Sequence, residues 1–388
     1  MNKSLNFQFG DFSSSVHISR ELPSLELVTE HYGQDGAFFK PLIICDENTR
    51  PVAEKIAGKG GFAGDSGGAE IPYCVLKPGE QAKNWASVEA ILRAAVRGGL
   101  GRDGLFIGIG GGVIGDLTAF SASIYMRGCG LCLVSTTLLG MVDASLGGKT
   151  GFDLFDMKNL AGTFYPARHI YMPLDSLKTL PPKEWKSGMA ELIKSVILEG
   201  GDFADLLESL REGFPPACFS AGFPQKFISH VLEDSGEPLF HCISRAVALK
   251  GRIVEADPRE SGGERRLLNL GHTFAHALES SAGLGRISHG EAVAWGMARA
   301  CELGVSLGVS PRKRGEEINA LLRSFGYLID APHPLMGDEG AFLKALNGDK
   351  KKLGGKIMYI VPDSQSARPV RVDGESLLKQ IINGAVSL

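Results

Sequence analysis

The chain has 388 residues, of which 44% are hydrophobic and 22% are charged, and its formal net charge is −3. This composition predicts a soluble globular protein with room for two cores, and the absence of a long basic run argues against a nucleic-acid surface. No stretch of about 18 apolar residues could span a bilayer, and the polar start MNKSLNFQFG is unlike a signal peptide.

The seven cysteines are scattered, and only Cys129 and Cys132 are spaced as CxxC. This pair lies in the apolar run CGLCLV, which is more typical of the edge of a strand than of a redox or zinc site. We therefore expect a protein of the reducing cytoplasm.

The first half of the chain alternates short apolar runs with segments of helical pattern. Strands are predicted at 41–45, 71–76 and 105–109, and helices at 49–57 and 84–96. Strands that alternate with helices pair in parallel, so residues 1–180 predict an α/β domain that is Rossmann-like, with a mostly parallel sheet.

After Leu180 the pattern changes to longer helical segments. We predict a helix through MAELIKSVILE with Ser187 at its N-cap, and further helices at 266–280 and 291–307. The stretch 213–224 contains three prolines and three phenylalanines and predicts an irregular connection. Residues 181–388 are therefore predicted to form an all-helical C-terminal domain.

Two glycine-rich stretches lie in the α/β region. The stretch 58–68 has no Lys-Ser or Lys-Thr after its glycines, so we interpret it as a surface connection. The stretch from Gly108 to Asp116, GIGGGVIGD, follows a predicted strand and begins a predicted helix. Such a turn lets backbone N–H groups approach a pyrophosphate, but its spacing is not GxGxxG, so dinucleotide binding and tight packing both remain open.

Three histidines and a glutamate are candidate metal ligands. His272 and His276 are at i and i+4, on one face of a predicted helix. His289 follows in SHGEAVAWGM, and Glu191 lies on a third predicted helix. Imidazoles with a carboxylate suit a catalytic zinc site. Spacing alone does not decide which three of the four bind, although the HxxxH pair is the obvious choice.

A group of cationic and polar residues lies near glycine turns and these candidate ligands. It suits a substrate that carries both a phosphate and a carboxylate. Its members are Asp143, Lys149, Lys158, Asn159, Lys194, Lys250, Arg265 and Asn269. The run Lys350–Lys352, taken alone, is typical of a solvated face.

Taken together, these segments resemble the 3-dehydroquinate synthase family. The matching stretches follow the family's order over roughly residues 40–360 and are GGGVIGDLTAF, TTLLGMVDASLGGKTG, KNLAGTFY, LKTLP, GMAELIK, LLNLGHTFAHALE and HGEAVAWGM. The resemblance implies an NAD-binding α/β domain, a helical domain that binds metal and substrate, and a homodimer. It also implies a phosphate-eliminating lyase of the shikimate pathway, which converts 3-deoxy-D-arabino-heptulosonate 7-phosphate to 3-dehydroquinate through transient oxidation, β-elimination, re-reduction and an aldol closure.

The resemblance also implies roles for individual residues. The ligands of zinc or cobalt would be Glu191, His272 and His289, which moves His276 to the substrate pocket. NAD would contact Asp46, Asn48, Glu80, Lys83, Gly111, Gly112, Val113, Asp116, Thr136, Thr137, Leu139, Thr179, Glu184 and Asp143, the last of which would also meet substrate. Substrate would contact Lys149, Lys158, Asn159, Lys194, Lys250, Arg265, Asn269, His276 and Lys350. Arg127 matches an arginine that the family contributes across the dimer interface.

Several positions depart from the family's pattern. Asp153 replaces the usual asparagine after GGKTxx, Met141 replaces a glutamine, Ser135 replaces a proline, and the stretch 257–264 is one residue longer. Asp153 and Met141 are expected to affect contacts in the nucleotide or substrate pocket.

Three other functions compete with this interpretation. A related sugar phosphate cyclase would keep the NAD and metal motifs, but Lys250, Asn269 and His276 favour the dehydroquinate branch. A metal-dependent alcohol or glycerol dehydrogenase would lack the GGKT and Lys-Asn blocks and would accumulate NADH. A descendant that only binds nucleotide is disfavoured because every expected type of ligand is present.

Overall fold

The computed structural model describes residues 1–33, 39–58, 71–155, 157–219, 223–233, 237–261, 263–283, 285–352, 357–372, 375–386 and 388, and the side chains of these residues except 348–352. Most of the stretch 58–68 and part of 213–224 lie outside this set, as does the Lys350 side chain. The chain divides into two compact units. The α/β unit comprises Met1–Leu180 and Ile243–Arg259, and the helical unit comprises Pro181–Cys242 and Glu260–Leu388.

This division differs from the predicted domains in the segment Ile243–Arg259, which we had assigned to the helical domain. The segment makes specific contacts within the α/β unit. The backbone N–H of Gln8 donates to Glu255 at 2.6 Å, and a Cβ on Gly251 would overlap the ring of Phe7. A periodic helical pattern does not reveal which core its apolar face contacts, so the sequence did not separate this segment.

The α/β unit is built on a seven-stranded sheet. Its strands and an additional hairpin are β1 (Asn2–Phe9), β2 (Phe12–Ser19), β3 (Lys40–Asp46), β4 (Tyr73–Leu76), β5 (Gly104–Gly110), β6 (Gly130–Ser135), β7 (Lys149–Leu154), β8 (Met157–Phe164) and β9 (His169–Pro173). The sheet order is β1-β2-β9-β6-β5-β3-β4, and β7 pairs with β8 separately. In this sheet the neighbouring pairs β2–β9, β9–β6, β6–β5, β5–β3 and β3–β4 are all parallel, and only β1–β2 is antiparallel. The predicted mostly parallel sheet is confirmed.

The helices of this unit are α1 (Leu25–Tyr32), α2 (Arg50–Ala57), α3 (Trp85–Arg97) and α4 (Gly112–Ile124). Every residue of β5 is buried, as expected for a strand that is covered on both faces. Cys129 and Cys132 are buried free thiols, and Cys132 lies within β6. The CxxC thus lies at the start of β6, as the predicted strand edge implies. Burial raises the pKa of Cys129 to about 12, so this thiol stays protonated.

The helical unit contains most of the remaining helices. They are α5 (Pro182–Glu199), α6 (Phe203–Ser209), α7 (Gln225–Glu233), α8 (Glu237–Ala256), α9 (His272–Ala282), α10 (His289–Ser306), α11 (Arg312–Ser324), α12 (Glu339–Lys352) and α13 (Ser376–Ile382), with α8 continuing into the α/β unit. The prediction of a helical C-terminal domain is confirmed, but one antiparallel hairpin interrupts it, β10 (Met358–Pro362) with β11 (Ala367–Arg371).

Two predicted helix starts in this unit were wrong. Helix α5 begins at Pro182, because proline is favoured in the first turn of a helix, and Ser187 lies buried inside it. The predicted helix 266–280 is split into a 3-10 turn and α9, since Gly271 adopts a left-handed φ of 79° that ends the turn. Within the described residues, no helix has both the length and the apolar character needed to cross a membrane.

Candidate active site

The glycine turn joins β5 directly to α4. Gly111 is the N-cap of α4, and a Cβ on Gly108, Gly110 or Gly111 would lie 2.7–2.9 Å from side-chain atoms of Thr118, Ile114 or Thr137. Tight packing therefore requires these glycines. The same residues line a small pocket at the N-terminus of α4, together with residues of β6 and the segment that follows it. The positive end of a helix beside exposed backbone favours a phosphate group there.

The predicted NAD contacts of the α/β unit lie along one edge of the sheet. They follow the carboxyl ends of β3, β4, β5, β6 and β9: Asp46, Asn48, Glu80, Lys83, Gly111, Gly112, Val113, Asp116, Thr136, Thr137, Leu139, Asp143 and Thr179. Ligands of parallel α/β sheets bind beyond the carboxyl ends of the strands. The topology therefore brings the set to one edge of the sheet, apart from Glu184, which lies in the helical unit.

Lys83 is the centre of a buried polar network at this edge. Its ammonium lies 2.6 Å from the carboxylate of Asp116 and donates to the amide oxygen of Asn159 at 2.5 Å. Burial lowers the pKa of Lys83, but Asp116 and neighbouring acids outweigh it and raise that pKa. Lys83 therefore stays charged, and its contacts with Asp116 and Asn159 hold its ammonium group in place.

Asp153, the first of the departures from the family's pattern, belongs to this network. Its carboxylate accepts the backbone N–H of Asn159 at 2.7 Å, and its own N–H donates to the Lys83 carbonyl at 2.8 Å. Asn159 has a left-handed φ of 52°. The acceptor at position 153 stabilises that backbone conformation, and an aspartate provides it as well as an asparagine would.

Lys250 lies on the part of α8 that belongs to the α/β unit. Its ammonium donates to both the backbone carbonyl and the carboxylate of Asp143, each at 2.5 Å. Two predicted substrate contacts that are far apart in sequence are therefore direct partners.

Glu191, His272 and His289 form a cluster in the helical unit. They come from α5 and from the first residues of α9 and α10, and one ligand atom of each lies within 4.8 Å of the others. The Nε2 atoms of His272 and His289 are 3.5 and 3.4 Å from Oε1 of Glu191. His276 lies one turn after His272 and is exposed, and it is not part of this cluster. The geometry therefore favours the ligand set implied by the resemblance over the HxxxH pair.

Close packing of α5 against α10 determines the position of His289. The N–H of Gly290 donates to the Ser187 hydroxyl at 3.1 Å, and a Cβ on Gly290 would lie 2.5 Å from the Ser187 Cα. A capping box between Ser288 and Glu291 fixes the first turn of α10. These contacts hold the His289 ring beside the helix that carries Glu191.

The second nitrogen of each imidazole has its own partner. Nδ1 of His272 lies 3.1 Å from the carbonyl oxygen of Leu270, and Nδ1 of His289 lies 3.7 Å from Glu279. Such outer partners orient metal-binding histidines. Glu279 was not predicted from the sequence, although it lies seven residues after His272, on the same face of α9.

Burial and neighbouring charges determine the protonation state of each imidazole in the cluster. Burial lowers the pKa of His272 to about 3, so this ring is neutral. Burial also disfavours charge on His289, but hydrogen bonds to Glu191 and Glu279 raise its pKa to about 10. Lys194 forms a buried ion pair with Glu191. Because one oxygen and two nitrogen ligands suit Zn²⁺ or Co²⁺, a divalent ion fits in place of the proton on His289.

The remaining predicted residues are less tightly grouped. Lys149 and Lys158 are exposed on the β7–β8 hairpin, and Arg127 is exposed with a φ of 70°. Arg265 is buried, and Asn269 donates to Glu260 at 2.9 Å, another partner that was not predicted from the sequence.

Comparison with known protein families identifies the family of this chain. The family model described as 3-dehydroquinate synthase N-terminal matches residues 73–187, and the one described as 3-dehydroquinate synthase C-terminal matches residues 188–352. The chain belongs to the 3-dehydroquinate synthase family. The two matches cover the glycine turn and the Glu191 cluster, so the resemblance inferred from the motifs is confirmed.

Solved structures of sugar phosphate cyclases share the fold of this 3-dehydroquinate synthase family member. A 2-deoxy-scyllo-inosose synthase in complex with carbaglucose-6-phosphate, NAD⁺ and Co²⁺ has a TM-score of 0.76 at 24% identity, covering 98% of this chain and 99% of that one. A 2-epi-5-epi-valiolone synthase from Streptomyces hygroscopicus with NAD⁺ and Zn²⁺ has a TM-score of 0.78 at 24% identity, covering 96% and 97%. An iron-containing alcohol dehydrogenase from Corynebacterium glutamicum has a TM-score of 0.58 at 16% identity, covering 98% of each chain.

Proposed function

We propose that this family member is a 3-dehydroquinate synthase that uses NAD and a divalent metal, and that it acts in the shikimate pathway of aromatic amino acid biosynthesis. It would convert 3-deoxy-D-arabino-heptulosonate 7-phosphate to 3-dehydroquinate and phosphate. The observation that carries the proposal is the convergence of Glu191, His272 and His289 within 4.8 Å, in a chain whose two halves both match the family. Lys250, Asn269 and His276 favour this substrate within the family.

The carboxyl edge of the parallel sheet would hold the dinucleotide. The backbone N–H groups at Gly111 and Gly112 would face its phosphates at the N-terminus of α4. Lys83, with its fixed charge beside Asp116, would orient the part of the nucleotide near that edge. Bound NAD⁺ supplies reversible oxidation of a secondary alcohol, and the resulting ketone acidifies the neighbouring C–H so that phosphate can leave.

Glu191, His272 and His289 would hold zinc or cobalt. The bound ion supplies a Lewis acid that lowers the pKa of a coordinated hydroxyl group. Lys194, beside Glu191, would keep a positive charge next to the carboxylate and so limit its basicity. His276, one turn along α9 and exposed, would hydrogen-bond a substrate rather than the metal.

The cationic residues would bind the two anionic groups of the substrate. Lys149, Lys158 and Arg265 suit a phosphate, since ammonium and guanidinium groups stabilise charge on the leaving oxygen. Lys250 is held by Asp143, which fixes the position of its ammonium group beside the proposed substrate site. The substrate's own phosphate would take the proton that is lost, so no strong protein base is required.

The deciding experiment gives purified protein the heptulosonate phosphate with trace NAD⁺, with and without a chelator. We expect metal-dependent phosphate release without net NADH, because the cofactor is regenerated in each turnover. Two other sugar phosphates, glucose 6-phosphate and sedoheptulose 7-phosphate, are the matched alternative substrates. Release from one of these alone would reassign the substrate within the family, and net NADH from a simple polyol would favour a dehydrogenase.

We also propose that the enzyme works as a homodimer in which Arg127 reaches the partner's site. Arg127 is exposed and has a left-handed φ of 70°, a conformation that a non-glycine residue adopts at some cost. Arg127→Ala and Glu191→Ala subunits should each be inactive alone, and mixed dimers should regain activity. No recovery in mixed dimers would argue against the shared site.

A further inference from the structure

A second group of histidines lies in the α/β unit, outside every residue assigned to the proposed reaction. His17 lies in β2, His31 in α1, and His169 is the first residue of β9. Strands β2 and β9 are parallel neighbours in which His17 pairs with Tyr171 and Ser15 with His169. Because alternate residues of a strand share a face, His17 and His169 are on the same face of the sheet.

The three imidazoles are in direct contact. Nε2 of His17 lies 3.1 Å from Nδ1 of His169. The ring of His31 is centred 4.8 Å from that of His17 and 5.6 Å from that of His169. One ring nitrogen of each histidine lies within 4.8 Å of the others, the same limit that the Glu191 cluster meets.

Two of these rings are oriented by outer partners. Nδ1 of His31 lies 2.7 Å from the hydroxyl of Tyr171, and Nδ1 of His17 lies 3.2 Å from the hydroxyl of Ser4. The bond to Ser4 leaves Nε2 of His17, the atom that contacts His169, on the side of the group. A hydrogen bond to the outer nitrogen is the usual arrangement around a metal-binding imidazole.

We propose that His17, His31 and His169 form a second metal site, for a divalent transition ion such as Zn²⁺. Three imidazoles without a carboxylate select Zn²⁺, Ni²⁺ or Cu²⁺ over Mg²⁺ or Ca²⁺. His169 is 8% exposed, whereas His17 and His31 are only half-buried, so the ion can enter and a water molecule can complete its coordination.

His17 and His169 are in the protonation state that a metal requires. Burial, with the neighbouring rings, lowers the pKa of His17 and of His169 to about 4, so their lone pairs are available at neutral pH.

The role of this site follows from its position. It links α1 to two adjacent strands, β2 and β9, and none of its residues belongs to the proposed NAD, metal or substrate sets. A bound ion would therefore stabilise the α/β unit without taking part in the reaction, because a ligand that binds only the folded state raises the free energy of unfolding.

The test measures zinc stoichiometry on untagged, chelator-treated protein by equilibrium dialysis and elemental analysis. We expect two equivalents per chain for the wild type and one for His31→Ala and His17→Asn, with metal-dependent phosphate release retained in both variants. His241→Ala, a change at an exposed histidine on α8, is the matched control and should keep two equivalents. A wild type that binds one equivalent, or a His31→Ala variant that still binds two, would overturn the proposal.

A spectroscopic measurement covers the case in which those variants fold poorly. Cu²⁺ added to the folded Glu191→Ala protein should give an electron paramagnetic resonance spectrum with coupling to several nitrogens, and His31→Gln should reduce that coupling. A spectrum typical of oxygen ligands alone would overturn the site.

Discussion

The Lys83 ammonium and the Asp116 carboxylate form an ion pair of 2.6 Å at the carboxyl edge of the sheet, and their side chains are 6% and 21% exposed. Neither group can be removed alone without leaving a largely buried charge. Burial raises the pKa of Asp116 to about 6, although the attraction of Lys83 opposes that rise. The pair thus keeps a carboxylate ionised at neutral pH where the proposed nucleotide site needs it.

Lys83→Met should destabilise the protein by about 3 kcal/mol, because Asp116 then lacks its partner in a buried setting. It should also weaken NAD binding roughly tenfold, if Lys83 orients the nucleotide. Urea denaturation and fluorescence titration with NADH measure the two effects. The control is Lys83→Met combined with Asp116→Asn, which removes the stranded charge and should recover much of the stability. An equally unstable double variant would show that the pair is not the cause.

The same pair predicts a pH dependence. Asp116 has a higher pKa in the folded protein than the ordinary value of 3.8, so its contribution to stability is complete below that value and is lost as the pH rises through about 6. Lys83→Met raises this pKa further. The loss of stability relative to wild type should therefore be larger at pH 8 than at pH 5, by about 1.4 kcal/mol for each unit of added shift. A cost independent of pH would contradict this assignment.

Two substitutions of Asp153 test whether its role depends on its hydrogen-bond acceptor or on its negative charge. Asp153→Asn should keep near-normal kcat/KM and thermal stability, because the amide oxygen can still accept the N–H of Asn159. Asp153→Ala should lose about 1 kcal/mol and some turnover, since Asn159 is then no longer stabilised at its left-handed φ. Thermal melting and steady-state kinetics on the two variants check this. If Asn were as damaging as Ala, the charge of Asp153 would be what matters.

The sequence predicted the parallel sheet and the family well, because both depend on local patterns. The apolar runs at 41–45 and 105–109 fall within β3 and β5, since buried parallel strands are continuous apolar segments. Contacts between segments that are distant in sequence could not be predicted in the same way. Gln8 bonding to Glu255, and the His17, His31 and His169 group, join residues whose proximity depends on strand order, which no local pattern encodes.

The candidate metal centre shows the same limit. Spacing alone favoured the His272–His276 pair, since i and i+4 lie on one face of a helix. The placement of three helix segments brings Glu191 and His289 to His272 instead. The family resemblance supplied that choice, because it carries information about tertiary structure that spacing lacks.

The metal ligands can be separated from the substrate pocket by two histidine variants. His272→Ala should lose the metal of this centre and turnover together, as should Glu191→Ala, because each removes one ligand of three. His276→Ala should retain one equivalent of metal at the centre while kcat/KM falls, because its ring is exposed and outside the cluster. Metal content after dialysis and phosphate release measure the two properties. Loss of metal in His276→Ala, or full metal with a near-normal rate in Glu191→Ala, would change the ligand set.

Gly290 tests whether close packing of α5 and α10 builds the metal centre. A Cβ on Gly290 would lie 2.5 Å from the Ser187 Cα, which is backbone and cannot rotate away. Gly290→Ala should therefore separate the two helices, cost about 2 kcal/mol and weaken metal binding about tenfold or more, because His289 and Glu191 are carried on those helices. Isothermal titration with Zn²⁺ and thermal melting check this. Gly340→Ala, in α12, is the matched control: the nearest atoms there belong to the Asp338 side chain, outside the metal centre, so metal affinity should be unchanged. Normal zinc affinity in Gly290→Ala would mean that the two helices adjust without moving the ligands.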